Sequence, residues 1–240
     1  ARRVDRIIAM DKLMRDYIKD RYNLSSSVVR FIPAGVDVER FQRVSGNRVR
    51  SLYGLSLRDP IILSLGTVSS LRTANGLLKA LPRVLRQFAS VRLLFVGALY
   101  DKGPLELVKK LRLDNSVIFC GRIDYQMIPS YVGASDVEGH DLDTGLGIGL
   151  ASLEAMAAGR AVLSSAGEDN FMELRLKNWE SIALVEPGNV RGISNALVKL
   201  LSDRKLRERI GRNAKAYVRN NFSLEVVCQK YESVYRDLIK

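Results

Sequence analysis

Apolar and polar positions change period along this chain in a regular way. From residue 61, apolar runs of strand length are followed by stretches whose apolar residues recur at helical spacing. IILSLGT precedes NGLLKALPRVLRQF, VRLLFVG precedes PLELVKKLRL, and SVIFCGRI precedes YQMIPSYVGAS. DVEGHDL leads through a glycine-rich loop into a helical run from about Leu150. AVLSSAG is followed by FMELRLK, and SIALVEPG by VRGISNALVKLLSD. Six strands alternating with helices predict an α/β fold, a doubly wound, six-stranded parallel sheet of Rossmann-like type. Pro82 lies inside the first helical pattern and predicts a kink or a boundary there.

The two flanks read differently. VDRIIAM is strand-like and DKLMRDYIKDRY is an amphipathic helix with Asp11 as its N-cap. VVRFIP is a second strand, and AGVDVERF is a turning linker bent at Gly35 and Asp37. These elements resemble the tail of another domain. The C-terminal stretch from Leu206 reads as two helices broken near Phe222–Ser223, with Ser223 as an N-cap and Glu225 in the first turn. The expected division is residues 1–45 as tail and linker, 46–222 as the ligand-binding domain, and 223–240 as a C-terminal helix.

The stretch GLGIGLASLEAMAAGRAV, Gly145 to Val162, carries the strongest chemical signal. Gly145, Gly147 and Gly149 alternate, a helix begins at once, and Gly159 suits its C-cap. Backbone that passes close to a ligand, followed by a helix N-terminus, makes an anion site, because free amides and the positive end of the dipole point the same way. The loop is read as holding the diphosphate of a nucleotide-sugar. Glu154 sits among Leu153, Ala155 and Met156, where a carboxylate needs a partner; ribose hydroxyls, a cap or an ion pair would each serve.

Ligands of doubly wound sheets sit beyond the carboxyl ends of the strands, at the switch point. The first strand of the series ends at Gly66–Thr67, and the next loop, VSSLRTAN, carries Arg72. A Rossmann-like order makes that strand the neighbour of the fourth. Arg72 and the glycine loop would then converge on one pocket, as a diphosphate requires. The reading GTVSSL in place of GxGxxG after the first strand argues against a nicotinamide or flavin enzyme.

Totals narrow the picture. The chain has 240 residues, 47% of them apolar, and no apolar run approaches the roughly 18 residues of a membrane span. The start, ARRVDRIIAM, lacks the pattern of a secretory leader. Cys120 and Cys228 are expected as buried thiols of a cytoplasmic protein. The net charge is +12, yet residues 126–190 hold three Lys/Arg against ten Asp/Glu, so the positive excess lies on the flanks. No recognition motif supports nucleic acid. The basic helix faces suit solvent first, and an anionic membrane surface or a partner second. His140, the sole histidine, lies in EGHDLD and is expected in a solvated loop. Glu138, Asp141 and Asp143 lack metal-ligand spacing, so no metal and no other cofactor is expected.

On these residues the chain resembles the C-terminal, donor-binding half of a retaining family-4 glycosyltransferase of the two-domain GT-B type. FIPAGVDVERF is similar to that family's interdomain linker, and VRLLFVG, SVIFCGRI and LEAMAAGRAVLSS are similar to its blocks. The resemblance implies transfer of a sugar from a nucleoside-diphosphate donor to a glycan or lipid-linked acceptor, with the acceptor domain supplied elsewhere. A nucleotide-sugar-binding module of weak or no activity is the alternative. The resemblance implies diphosphate contacts at Gly66, Thr67 and Arg72, with Arg72 catalytic. Loop amides facing sugar and phosphates fall at Gly147, Ile148, Gly149 and Leu150, a ribose contact at Glu154, and backbone contacts to the base at Gly121 and Arg122. The C-terminal helix would cross back toward the acceptor domain, and peripheral contact with the cytoplasmic membrane face would follow. Two departures stand out: Leu146 replaces a glutamate, and Thr67 replaces a basic residue. Asp141 and Asp143 are the carboxylates a rearranged loop would offer in place of the lost one.

Overall fold

The computed structural model describes residues 4–25, 27–71 and 74–239. A small two-stranded parallel sheet comes first, built from β1 (Ile7–Ala9) and β2 (Val29–Phe31) with α1 (Lys12–Tyr22) between them. Asp11 caps α1 as expected, its carboxylate accepting from the Met14 amide at 2.6 Å. A short 3-10 turn at Glu39–Phe41 and α2 (Asn47–Leu52) lead into the main sheet.

That sheet comprises β3 (Ile61–Leu65), β4 (Arg92–Val96), β5 (Val117–Gly121), β6 (Val137–His140), β7 (Ala161–Ser164) and β8 (Ala183–Leu184). All neighbours are parallel, in the order β5-β4-β3-β6-β7-β8. The six-stranded doubly wound sheet is therefore present, and its order reverses between β3 and β6. The crossovers use α3 (Ala74–Leu85), α4 (Gly103–Lys110), α5 (Ile128–Ala134) and α6 (Leu150–Ala157). Then come α7 (Val190–Ser202), α8 (Arg204–Phe222) and α9 (Leu224–Ile239).

Helices cover both faces, which is why most strand positions are apolar rather than alternating, with Ser64 of β3, Glu138 of β6 and Ser164 of β7 as buried polar exceptions. Ile62, Leu93 and Val137 pack with Leu77, Leu81 and Leu197 of α3 and α7. Ile61, Leu63 and Val162 pack with Leu153, Met156 and Val218 of α6 and α8. Pro82 lies within α3, and the helix continues past it to Leu85, so the proline marks no boundary.

The break between α8 and α9 has a tertiary cause. Val36 of the linker donates its amide to the Phe222 carbonyl at 2.7 Å, and its carbonyl accepts from the Leu224 amide at 3.1 Å. Holding Ser223 extended against the linker stops the helical ladder there. Gly35 permits the approach: a Cβ on it would lie 2.9 Å from Leu224 Cδ2.

At the amino ends of β6 and β7, Asp136 gathers cations. Its carboxylate lies 3.8 Å from Arg50 Nη2 and 3.4 Å from Arg207 Nη2, and accepts from the Ile61 amide at 2.9 Å. Arg207 also donates to the Leu200 and Leu201 carbonyls at the end of α7. Burial lowers the pKa of the adjacent Arg160, helped by Arg50 and Arg207 and opposed by Asp136.

Three expectations are corrected. FMELRLK forms turns, not a helix. Phe171 and Leu176 are both buried, and five residues apart they would sit about 140° apart on a helix. The chain instead closes on itself through Leu176 N to Glu168 O at 2.8 Å, with Phe171 edge-on to Phe222. Cys228 is exposed, whereas Cys120 is half-buried in β5; both thiols are free. His140 ends β6 and is mostly covered by its neighbours, so it is not in a solvated loop. Among the described residues no helix is long and apolar enough to cross a membrane.

Candidate functional site

The crevice at the switch point is bounded by the ends of β3 and β6 and by the N-terminus of α6. Gly66 follows β3 with φ +119°, and Gly66 and Thr67 are both exposed. That left-handed φ favours glycine at position 66, and the neighbouring Gly97 must be glycine as well, since a Cβ on Gly97 would lie 1.9 Å from the Gly66 carbonyl oxygen. Arg72, the expected catalytic residue, lies outside the described residues.

The glycine loop is held from within. Asp141 is buried; it accepts from the Gly147 amide at 3.0 Å and from the Thr144 hydroxyl. Asp143 accepts from the Gly76 amide at 3.1 Å, capping the first turn of α3. Both carboxylates thus hold backbone amides of the loop or of α3. Leu146 itself is 48% exposed. Gly147 has φ +103°, and a Cβ there would lie 2.0 Å from Asn170 Oδ1. Ile148 is buried and anchors the loop in the core. Gly149 precedes α6 in extended conformation with no side-chain cap, and Leu150 is exposed on the first turn. Of the two helices starting at the crevice, α3 has an acidic side chain on its amides and α6 does not. The Gly147 amide is already used internally, so the amides left to an anion are those of α6 itself.

Glu154, one turn into α6, is 5% exposed. Its Oε1 accepts from the Tyr125 hydroxyl at 2.8 Å. Burial pushes its pKa up, while the Tyr125 hydroxyl and the Arg40 charge oppose that shift. Arg40 lies over the Tyr125 ring, 3.8 Å from its centroid, and donates to the Tyr125 carbonyl. Gly121 ends β5 with φ +69°, its carbonyl accepting from the Gly97 amide at 2.9 Å, and Arg122 beside it is exposed. Among the described residues no three His, Cys, Asp or Glu side chains are grouped to hold a metal ion.

The family model described as "Glycosyl transferases group 1" matches residues 49–217. The chain belongs to the group 1 glycosyl transferases. It is 23% identical over 245 aligned positions to an uncharacterized glycosyltransferase of Methanocaldococcus jannaschii, covering 99% of this chain and 60% of that protein. It is 30% identical over 209 residues to the phosphatidyl-myo-inositol mannosyltransferase of Mycobacterium tuberculosis, covering 85% of this chain and 53% of that protein. The chain thus spans about half to three-fifths of these curated relatives. In fold it resembles a Rickettsia africae glycosyltransferase at TM-score 0.84 and 21% identity, over 98% of this chain and 64% of that one. It superposes equally well, at TM-score 0.84 and 20% identity, on an Anabaena protein crystallised with UDP and glucose, again over 98% of this chain and 64% of the other. These likenesses establish the GT-B type of fold.

In this group 1 glycosyl transferase the structure brings Gly66, Thr67, the Gly147–Leu150 loop and Glu154 to the switch-point side of the sheet, with Gly121 and Arg122 at the end of β5. Sequence reasoning missed Tyr125 and Arg40, which join the linker to Glu154. The signal for Tyr125 was slight: an aromatic four residues past Gly121, inside a helical pattern. Arg40 carried none, since its partner is 85 residues away.

Proposed function

We propose that the chain is the donor-binding half of a retaining family-4 glycosyltransferase that moves a sugar from a nucleoside-diphosphate donor to a glycan or lipid-linked acceptor. The observation that carries this reading is the α6 terminus. It opens at the switch point without a side-chain cap, and a buried carboxylate, Glu154, lies one turn below it. Helix amides suit the diphosphate, and the second oxygen of Glu154 suits a ribose hydroxyl.

In this reading Arg72 and the α6 amides stabilise the leaving diphosphate, which is electrostatic catalysis at a developing anion. Gly121 and Arg122 offer backbone to the base. Residues 1–45 and 223–240 belong with an acceptor-binding domain. One relative is named as a GDP-mannose-dependent mannosyltransferase acting on a phosphatidylinositol mannoside, which supports a membrane-lipid acceptor.

A second reading, a nucleotide-sugar-binding module without transfer, is favoured by Leu146 and by the internal commitment of Asp141 and Asp143. Calorimetry with UDP-, GDP- and ADP-sugars tests what both readings share. Binding that Glu154→Ala weakens by about tenfold is expected, and no binding to any donor sinks both. Transfer by the full-length gene product, abolished by Arg72→Ala, separates the first reading from the second.

A further inference from the structure

A pocket lies at the opposite edge of the sheet from the donor crevice. It opens at the amino ends of β6 and β7, where α8 begins, and encloses about 290 Å³. Asp136, Gly159, Arg160, Arg204, Arg207 and Glu208 line it, and Arg50 reaches Asp136 from α2. β6 is four residues long, so roughly 13 Å of strand separates this pocket from the crevice.

The charges around it do not balance. The guanidiniums of Arg50, Arg160, Arg204 and Arg207 meet the carboxylates of Asp136 and Glu208 alone. Asp136 is shared by Arg50 and Arg207. Glu208 is engaged by Arg204, whose Nε donates to it at 2.7 Å. Asp203, next in the chain, serves α8 itself by accepting from the Leu206 amide at 2.9 Å. Arg160 is left without an ion-pair partner among the described residues. Its Nη2 donates to the Gly133 carbonyl at 3.2 Å, and its buried Nε has no hydrogen-bond partner. A half-buried guanidinium is costly to leave without a counter-charge, and the charges of Arg50 and Arg207 add to that cost.

We propose that this pocket binds a phosphate-type oxyanion, held between the half-buried Arg160 and Arg204 at the pocket mouth. A guanidinium offers parallel N–H donors that match two oxygens of a tetrahedral anion. The positive end of α8 acts in the same direction. Lys205, Arg209 and Arg212, exposed on the next turns of α8, raise the local concentration of anions. The anion supplies the counter-charge that Arg160 lacks and ties the start of α8 to the β6–β7 edge, so its binding stabilises the fold. The site is independent of the donor-site reading, since it shares no residue with the crevice.

Inorganic phosphate is titrated by calorimetry at fixed ionic strength, with chloride as the balancing anion, in the absence and presence of UDP. The expected result is saturable binding that UDP leaves unchanged. Arg160→Met should weaken it by at least about tenfold. Arg204→Met, at a side chain 83% exposed, keeps the test alive should the first variant not fold, and should weaken binding about threefold. Glu208→Gln, which removes the carboxylate beside Arg204, should tighten it about threefold. Melting temperature should rise with phosphate in the unaltered chain and less in Arg160→Met, whereas general salting by phosphate would raise both equally. Vesicles containing phosphatidic acid repeat the comparison with lipid-borne phosphate. Capture that Arg160→Met abolishes assigns the phosphate to a lipid headgroup, and phosphate binding without capture assigns it to a soluble ion. Phosphate binding that the variants leave unchanged overturns the proposal, whether or not UDP displaces it, and so does the absence of saturable binding.

Discussion

The Tyr125 hydroxyl donates to Glu154 Oε1 at 2.8 Å, and Arg40 of the linker stacks on the same tyrosine ring. The carboxylate proposed to hold the ribose is thus fixed by a residue from the β5–α5 connection, itself clamped by the linker. Tyr125 engages one oxygen, and the proposed donor reading assigns the other to the ribose.

Removing that hydroxyl should show as a pH-dependent loss. Burial raises the Glu154 pKa and the Tyr125 hydrogen bond lowers it, so Tyr125→Phe leaves the carboxyl more readily protonated. Nucleotide binding should fall about three- to tenfold, the worth of one hydrogen bond. The loss should be larger at pH 6 than at pH 8, because the more readily protonated carboxyl loses its charge first as pH falls. Calorimetry at the two pH values checks this, and an equal loss at both would break the link between Tyr125 and the ionisation of Glu154.

Glu138 ties stability to pH with a definite sign. Burial pushes its folded pKa up to about 8, above the ordinary glutamate value of 4.5, so between these values the folded chain binds more protons than the unfolded one. Stability must then fall as pH rises through that window, by an amount on the order of a few kcal/mol. Glu138→Gln should flatten the slope. Urea unfolding from pH 5 to pH 8.5 measures it in both proteins.

Asp136→Ala should destabilise the fold strongly. The substitution leaves Arg50 and Arg207 without their shared carboxylate, close to the half-buried Arg160, and deprives the Ile61 amide of its acceptor. A loss of about 2–4 kcal/mol is expected, at the scale of breaking a buried ion pair from one side. The midpoint of chemical unfolding reads it.

Gly147→Ala should act on the site more than on the core. Its left-handed backbone strains any side chain, and the added carbon would meet Asn170 Oδ1 at 2.0 Å. The expected cost is about 1–3 kcal/mol in stability, with nucleotide affinity reduced by at least about tenfold because the loop must move. Calorimetry and thermal melting together separate the two effects.

Leu63, Leu94 and Val162 show why the sheet was readable from the chain. A strand buried on both faces is apolar at most positions, and a parallel neighbour requires a helical return, so composition and spacing together predict the six-stranded alternation. FMELRLK shows the limit of that logic. Its composition suits a helix, but Phe171 and Leu176 are drawn into one core by Phe222 and its neighbours, and packing of both anchors outweighs local preference.

What the sequence determined by itself was the α/β alternation, the glycine loop with its helix, and the single carboxylate at Glu154. Each is a local pattern whose physical consequence follows within one or two turns of chain. Only the tertiary structure decided what those groups touch. Asp141 and Asp143 bind backbone amides, Tyr125 and Arg40 secure Glu154, and Glu138 lies beside His140. Such partners depend on strand order and register. Strand pairing brings distant segments within a few ångströms, and no short-range pattern records which ones.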